Sequence, residues 1–289
     1  MRIHLIDGTY ELFRHYHAVP KARDAEGQEV AAVRGVVASI LSLINRGGAT
    51  HVGVATDHVI ESFRNRMWRS YKTSAGVPDD LLLQFQLLED AVAALGVRVW
   101  PMIEFEADDA LAAAAERAAE DARVEKVLIC TPDKDLGQAV RGSRIVQLIR
   151  RTNVELDEEA IVRKFGVRPA SIPDYLALVG DSSDGYPGLP GWGAKSTAAV
   201  LARFEKLERI PEDPREWHVN AANAVSLAAT LRRDRELAFL FRDLATLRTD
   251  IPVFDSVDEL EWKGPTEQFA ALAARFDAAQ TEKNADTAR

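Results

Sequence analysis

Short apolar runs that end on a polar residue recur through the first half of the chain: Arg2 to Ile6 before Asp7, His51 to Ala55 before Asp57, Val97 to Trp100, Lys126 to Cys130 before Asp133, and Ile145 to Ile149. Apolar stretches of this length predict buried strands. Between them, Ala31 to Asn45, Leu81 to Leu95 and Ala107 to Ala119 carry helical patterns. The alternation predicts an α/β fold, a mostly parallel central sheet flanked by helices. From Asp157 onward strand signals become scarce, helical segments dominate, and a Gly/Pro-dense stretch runs from Gly180 to Gly193. A helical second lobe is expected there. The expected divisions are an α/β core over 1–167, a helical lobe over 168–280, and a frayed tail over 281–289, which is polar and free of aromatic residues.

Composition narrows the partners. With 289 residues and 47% hydrophobic letters the chain can build one large core plus a smaller lobe. Its 36 basic and 45 acidic residues give a net charge of −9, so a polyanion has to be met by local basic patches or bound cations. The single cysteine, Cys130, sits in an apolar run. It excludes a disulfide framework and a cysteine-rich zinc site, reads as a core residue, and fits a reducing cytoplasm. Asp7 follows the first residue too closely for a signal peptide, and the alanine-rich stretch Ala110 to Ala122 is broken by Glu116, Arg117, Glu120 and Asp121. No membrane span is expected. The six histidines show no metal-ligand spacing, and His15 and His17 read as packing or surface residues.

The acidic positions carry the chemistry. Asp7, Asp57 and the pair Asp133/Asp135 lie just past separate predicted strands, where open parallel sheets build their ligand crevice. Glu106, Asp108 and Asp109 open a helix, and Asp181 and Asp184 follow the helical run Tyr175 to Val179. Taken alone, each cluster reads as solvated surface, a turn or a helix N-terminus. Their recurrence in one chain favours a shared site. So many like charges would force several carboxyls to protonate unless divalent cations neutralised them, and all-oxygen donors suit Mg²⁺ or Mn²⁺.

The motifs Leu5-Ile6-Asp7-Gly8, Phe63-Arg64 with Tyr71-Lys72, Glu106-Ala107-Asp108-Asp109, Thr131-Pro132-Asp133-Lys134-Asp135-Leu136 and Gly180-Asp181-Ser182-Ser183-Asp184 through Lys195 come in the order of a known family. From about Ile3 to Leu201 the chain resembles the bacterial 5′-nuclease family, which includes flap endonucleases and the 5′-nuclease domain of DNA polymerase I. The resemblance implies a PIN-like 5′-nuclease core, a helical arch over 58–80, and a helix-hairpin-helix-type lobe. It implies 5′-3′ exonuclease or flap endonuclease activity on DNA with a 5′ flap or 5′ end, sequence-nonspecific, in replication and repair. Asp7, Asp57, Glu106 and Asp108, with Asp109 beside them, would form a first metal group. Asp133, Asp135, Asp181 and Asp184 would form a second, making two ions in all. Arg64 and Lys72 would join the catalytic set, with Lys72 meeting the scissile phosphate. A monomer is expected, with a DNA polymerase acting in trans as the suggested partner.

Two further segments bear on DNA. Phe63 to Lys72 carries four cations, four large apolar residues and no acid, a local polyanion footprint in which Arg66, Arg69 and Tyr71 would touch DNA. An amphipathic surface helix is the plainer reading of the same pattern. Relatives usually carry a basic residue where this chain has Ala75. In the second lobe, Gly188, Gly191 and Gly193 precede Lys195 at a helix start, so a hairpin can bring backbone N–H groups against a phosphate. The resemblance adds a K⁺ at this hairpin, although Gly185 and Tyr186 stand where relatives carry Asn-Ile. Two other functions compete. A haloacid-dehalogenase-type phosphatase would share the Asp-Gly-Thr and Gly-Asp motifs, but its nucleophilic aspartate would fall on Leu5. A non-catalytic junction-binding protein would keep the fold without needing every acidic position filled.

Overall fold

A computed structural model describes residues 1–281. In chain order the elements are β1 (Arg2–Asp7), α1 (Gly8–Ala18), β2 (Ala22–Arg23), α2 (Ala31–Asn45), β3 (His51–Asp57), α3 (Arg64–Met67), α4 (Asp79–Ala94), β4 (Arg98–Met102), α5 (Ala107–Glu120), β5 (Lys126–Cys130), β6 (Ile145–Ile149), β7 (Val154–Leu156), α6 (Glu158–Phe165), α7 (Ile172–Val179), α8 (Ala194–Phe204), α9 (Ala224–Arg233), α10 (Arg235–Ala245), α11 (Phe269–Ala278) and β8 (Gln280–Thr281). Six strands form one sheet in the order β4-β3-β1-β5-β6-β7, parallel except for β7. β1 lies at its centre, in register with β3 (Asp7 opposite Ala55) and with β5 (Ile6 opposite Cys130). Their carboxyl ends therefore open onto one crevice.

Each face of the sheet has its own core. One packs Val33, Val36, Ile40, Phe85 and Leu88 from α2 and α4 against the sheet. The other sets the alanine-rich face of α5 against Ile3, Leu5 and Ile129. Alanine permits this close helix-to-sheet approach, so the stretch that resembled an interrupted apolar run is a buried helix face. A separate core holds the second lobe, where α7, α8, α9 and α10 gather around Leu176, Leu201, Leu231 and Phe241. Among the described residues no helix is long and apolar enough to cross a membrane.

Two expectations are corrected. Residues 168–280 do not form one helical lobe, because Ile251, Val253, Phe254, Val257 and Leu260 pack in the α5 core and Phe276 of α11 packs in the α2/α4 core. β8 pairs antiparallel with β2, so the chain returns to the first lobe. Residues 282–289 of the expected tail lie outside the described residues. The helical arch over 58–80 is a single turn, α3, followed by extended and bent backbone. It is short because Arg64 and Tyr71 turn inward and fix the segment to the crevice wall. Asp7 caps α1, its Oδ1 accepting from Tyr10 N–H at 2.8 Å.

Candidate active site

The parallel sheet delivers Asp7 from the end of β1, Asp57 from β3 and Asp133 with Asp135 from beyond β5. The start of α5 adds Glu106 and Asp108, and the turn after α7 brings Asp181 and Asp184 from the second lobe. These eight acids form one electrostatic group. Burial, followed by the charges of Asp57 and Asp133, pushes Asp7 up to about 7, although Tyr10 N–H and Thr131 act against it. Burial and then Asp133 and Asp7 raise Asp108, while burial and then Asp133 raise Asp135. Asp57 and Asp184 are also raised, mainly by burial.

Hydroxyls and backbone groups hold several of the acids in place. Thr131 Oγ1 donates to Asp7 Oδ2 at 2.9 Å, and Asp57 accepts at Oδ1 from Ala107 N–H at 2.8 Å. Thr9 Oγ1 accepts from the Asp57 N–H, locking α1 to β3. Ser62 Oγ donates to Glu106 Oε1 at 2.6 Å. Sequence reasoning missed Thr9, Ser62 and Thr131 in these roles. Only Thr131 had a local signal, its position inside the Thr-Pro-Asp motif.

Asp135, Asp181 and Asp184 each offer an oxygen within 4.8 Å of the other two. This set is the tightest of the crevice and joins both lobes. Lys134 Nζ reaches Asp181 Oδ2 at 2.5 Å. All-oxygen donors suit a hard divalent ion, which would offset the burial and like charge that raise Asp135 and Asp184.

The basic segment is divided in its roles. Lys72 Nζ sits 2.8 Å from Glu106 Oε2 and 3.3 Å from Asp184 Oδ1, among the carboxylates. Despite the burial that opposes it, Lys72 and Arg64 hold Glu106 below its ordinary value. Tyr71 is buried with its hydroxyl 3.3 Å from Glu106 Oε2, so it does not offer its ring to a base in this arrangement. Arg66 pairs with Glu104 on the surface, and Arg69 is exposed. Arg64 is 1% exposed and bonds both oxygens of Asp109, which is 0% exposed. Asp109 therefore faces Arg64 and the second lobe, where it also accepts from Arg248 N–H, and not the carboxylate group.

At the hairpin, Gly191, Gly193 and Lys195 are exposed at the start of α8, whose first-turn N–H groups have no intrahelical acceptors. Gly188 faces inward. Its φ is +69°, and an added Cβ would lie 2.4 Å from Gly180 N. Gly185 (φ +81°) is closed to side chains as well, since a Cβ would lie 2.0 Å from Ser70 O. Glycine at 185 lets the segment before Lys72 press against the Asp181–Asp184 turn. Trp68 Nε1 donates to Gly185 O at 3.0 Å, and Lys72 N–H donates to Asp184 O at 3.1 Å.

A resolvase-like sheet with acids gathered at its carboxyl edge, joined to a helical hairpin lobe, defines a nuclease-type architecture. The chain belongs to the 5′-3′ exonuclease family: its N-terminal resolvase-like domain matches residues 2–166 and its C-terminal SAM fold matches residues 167–268. The chain is 32% identical to a 5′-3′ exonuclease of Buchnera aphidicola, over 86% of this chain and 82% of that one. It is 34% identical to DNA polymerase I of Pseudomonas aeruginosa, over 93% of this chain but 29% of the relative, so it spans under a third of that protein. A bacteriophage T5 D15 flap endonuclease, solved as a pseudo-enzyme-product complex with DNA and metal ions, shares the fold at a TM-score of 0.67 and 18% identity, over 86% of this chain and 90% of that one.

Proposed function

We propose that this chain is a structure-selective 5′ nuclease that hydrolyses phosphodiester bonds at 5′ flaps or 5′ ends of duplex DNA with two Mg²⁺ or Mn²⁺ ions. The observation that carries the reading is that Asp135, Asp181 and Asp184, drawn from both lobes, lie within ligand reach of one another. Asp7, Asp57, Glu106 and Asp108 would hold one ion, and Asp133, Asp135, Asp181 and Asp184 the other. When bound, such ions generate a nucleophilic hydroxide from water and neutralise charge at the reacting phosphate.

The remaining groups bind and orient. Lys72 is held at the crevice by Glu106 and Asp184, and its ammonium is placed to meet a phosphate oxygen once cations satisfy those acids. Arg66 and Arg69 guide the flap from the surface. Gly191, Gly193 and Lys195 grip duplex backbone without reading bases, and a K⁺ there would strengthen that grip. Leu5, at the dehalogenase nucleophile position, is fully buried, which disfavours the phosphatase reading. The protein would act as a monomer in the cytoplasm, with a DNA polymerase extending its products. The test is cleavage of a labelled 5′-flap duplex beside a small phosphomonoester, each with Mn²⁺ and with chelator. Chelator-sensitive cleavage of the flap alone supports the proposal. Turnover of the phosphomonoester alone, or flap binding without cleavage, overturns it.

A further inference from the structure

Tyr186, just past Asp184, brings a hydroxyl to the edge of the crevice. The residue is 1% exposed. Its backbone is fixed to Asp181 by two hydrogen bonds, Asp181 N–H to Tyr186 O at 2.8 Å and Tyr186 N–H to Asp181 O at 3.0 Å. Its ring packs on Phe241 at 5.4 Å, and Phe241 in turn meets Trp68 at 5.1 Å. With backbone and ring both held, the hydroxyl is fixed, and a partner has to turn toward it.

Yet it has none. Tyr186 Oη is buried without a hydrogen bond, and so is Asp135 Oδ1. Lys134 Nζ lies 3.9 Å from that oxygen, beyond hydrogen-bond reach. Of the charged groups around the phenol, Asp135 acts on it most strongly, then Asp184 and Asp181, the three acids that form the tightest oxygen cluster. A buried hydroxyl without a partner is disfavoured, and its presence calls for a state of the protein in which it is satisfied.

We propose that Tyr186 is a positioning residue, its hydroxyl donating to Asp135 when Asp135, Asp181 and Asp184 hold a divalent cation. A carboxylate that gives one oxygen to a cation keeps another for a neighbouring donor, which fixes its orientation and sharpens its affinity for the ion. A phenol is protonated at neutral pH and can serve as that donor. The inference rests on the metal-site reading above.

The test is calorimetric titration of the whole protein with MnCl₂, comparing wild type with Tyr186→Phe, alongside melting temperature and 5′-flap binding in EDTA. The variant is expected to bind Mn²⁺ about tenfold more weakly. Its metal-free melting temperature should be equal or higher, because the hydroxyl has no partner to lose in that state, and its flap binding in EDTA should be unchanged. A merely structural tyrosine would instead lower the melting temperature and leave Mn²⁺ affinity alone. Equal Mn²⁺ affinity in both proteins overturns this inference only, whereas a wild type that takes up no Mn²⁺ overturns the metal-site reading together with it.

Discussion

Arg64 and Asp109 meet through two hydrogen bonds, NH1 to Oδ2 at 2.8 Å and NH2 to Oδ1 at 2.7 Å, with both side chains closed to solvent. Arg64 also donates to Leu244 O and Thr246 O of the second lobe, so this pair ties α3, α5 and the end of α10 together. Removing one partner leaves a buried charge uncompensated. Arg64→Ala and Asp109→Ala should each destabilise the protein by about 3–5 kcal/mol in urea denaturation. A loss below about 1 kcal/mol in both would contradict this assignment.

Asp108, one residue away, should behave in the opposite sense. It lies among like charges, so Asp108→Asn should leave metal-free stability unchanged or raised while weakening Mn²⁺ binding. Thermal melts with and without Mn²⁺ check this, and a destabilisation matching that of Asp109→Ala would refute the distinction between the two neighbours.

Stability should depend on pH with a sign fixed by the raised acids. Asp7 titrates near 3.8 when unperturbed and at about 7 in the fold, so the folded protein retains a proton that the unfolded chain has released. Its contribution is full below pH 3.8 and is lost as pH rises through 7. Asp7→Asn removes that loss and can still cap α1. In EDTA the melting-temperature advantage of Asp7→Asn over wild type should therefore grow from pH 5 to pH 7.5. An advantage that is flat or falls with pH would count against the like-charge crevice. The comparison is between variants because His4, pushed down to about 4 by burial, gives the whole protein an opposing trend.

The five longer strands and α2 were legible because their apolar runs need no long-range information: Lys126 to Cys130 and Ala31 to Asn45 stand as the pattern drew them, whereas the short strands β2, β7 and β8 carry no such run. α1 was not, since Asp-Gly-Thr also suits a turn, and Glu11, Arg14 and His15 blur its apolar face. Glu11 is in fact buried against Arg14 and Arg150, a partnership formed 139 residues apart. Acid identity was readable and acid orientation was not. Asp108 and Asp109 are adjacent in sequence, but helical rotation aims one at the crevice and the other at Arg64. The return of Phe276 to the first core depends on contacts that no local pattern encodes.

The hairpin glycines should separate by role. Gly191→Val should weaken binding to all duplex sequences alike, and Lys195→Ala should lower the salt dependence of binding by about one unit. Gly188→Ala should instead fail through folding, given the crowding at Gly180. Fluorescence anisotropy against salt, with a melt for each variant, checks both. Unchanged affinity and slope in Gly191→Val and Lys195→Ala would exclude the hairpin as a backbone grip.

Lys72 should act on the reaction more than on binding. With its ammonium held between Glu106 and Asp184, Lys72→Ala should slow single-turnover cleavage roughly a hundredfold while flap affinity changes little. Wild-type rates at saturating enzyme would remove Lys72 from the machinery.

The most direct measurement of the central claim is single-turnover cleavage of a 5′-labelled flap duplex by wild type, Asp108→Asn and Asp133→Asn, each with Mn²⁺ and with EDTA. The account predicts wild-type cleavage that leaves 5′-phosphate and 3′-hydroxyl ends and is abolished by EDTA. It also predicts rates lower by orders of magnitude in both variants, with flap binding retained. Cleavage by wild type in EDTA, or near wild-type rates in either variant with Mn²⁺, would contradict it.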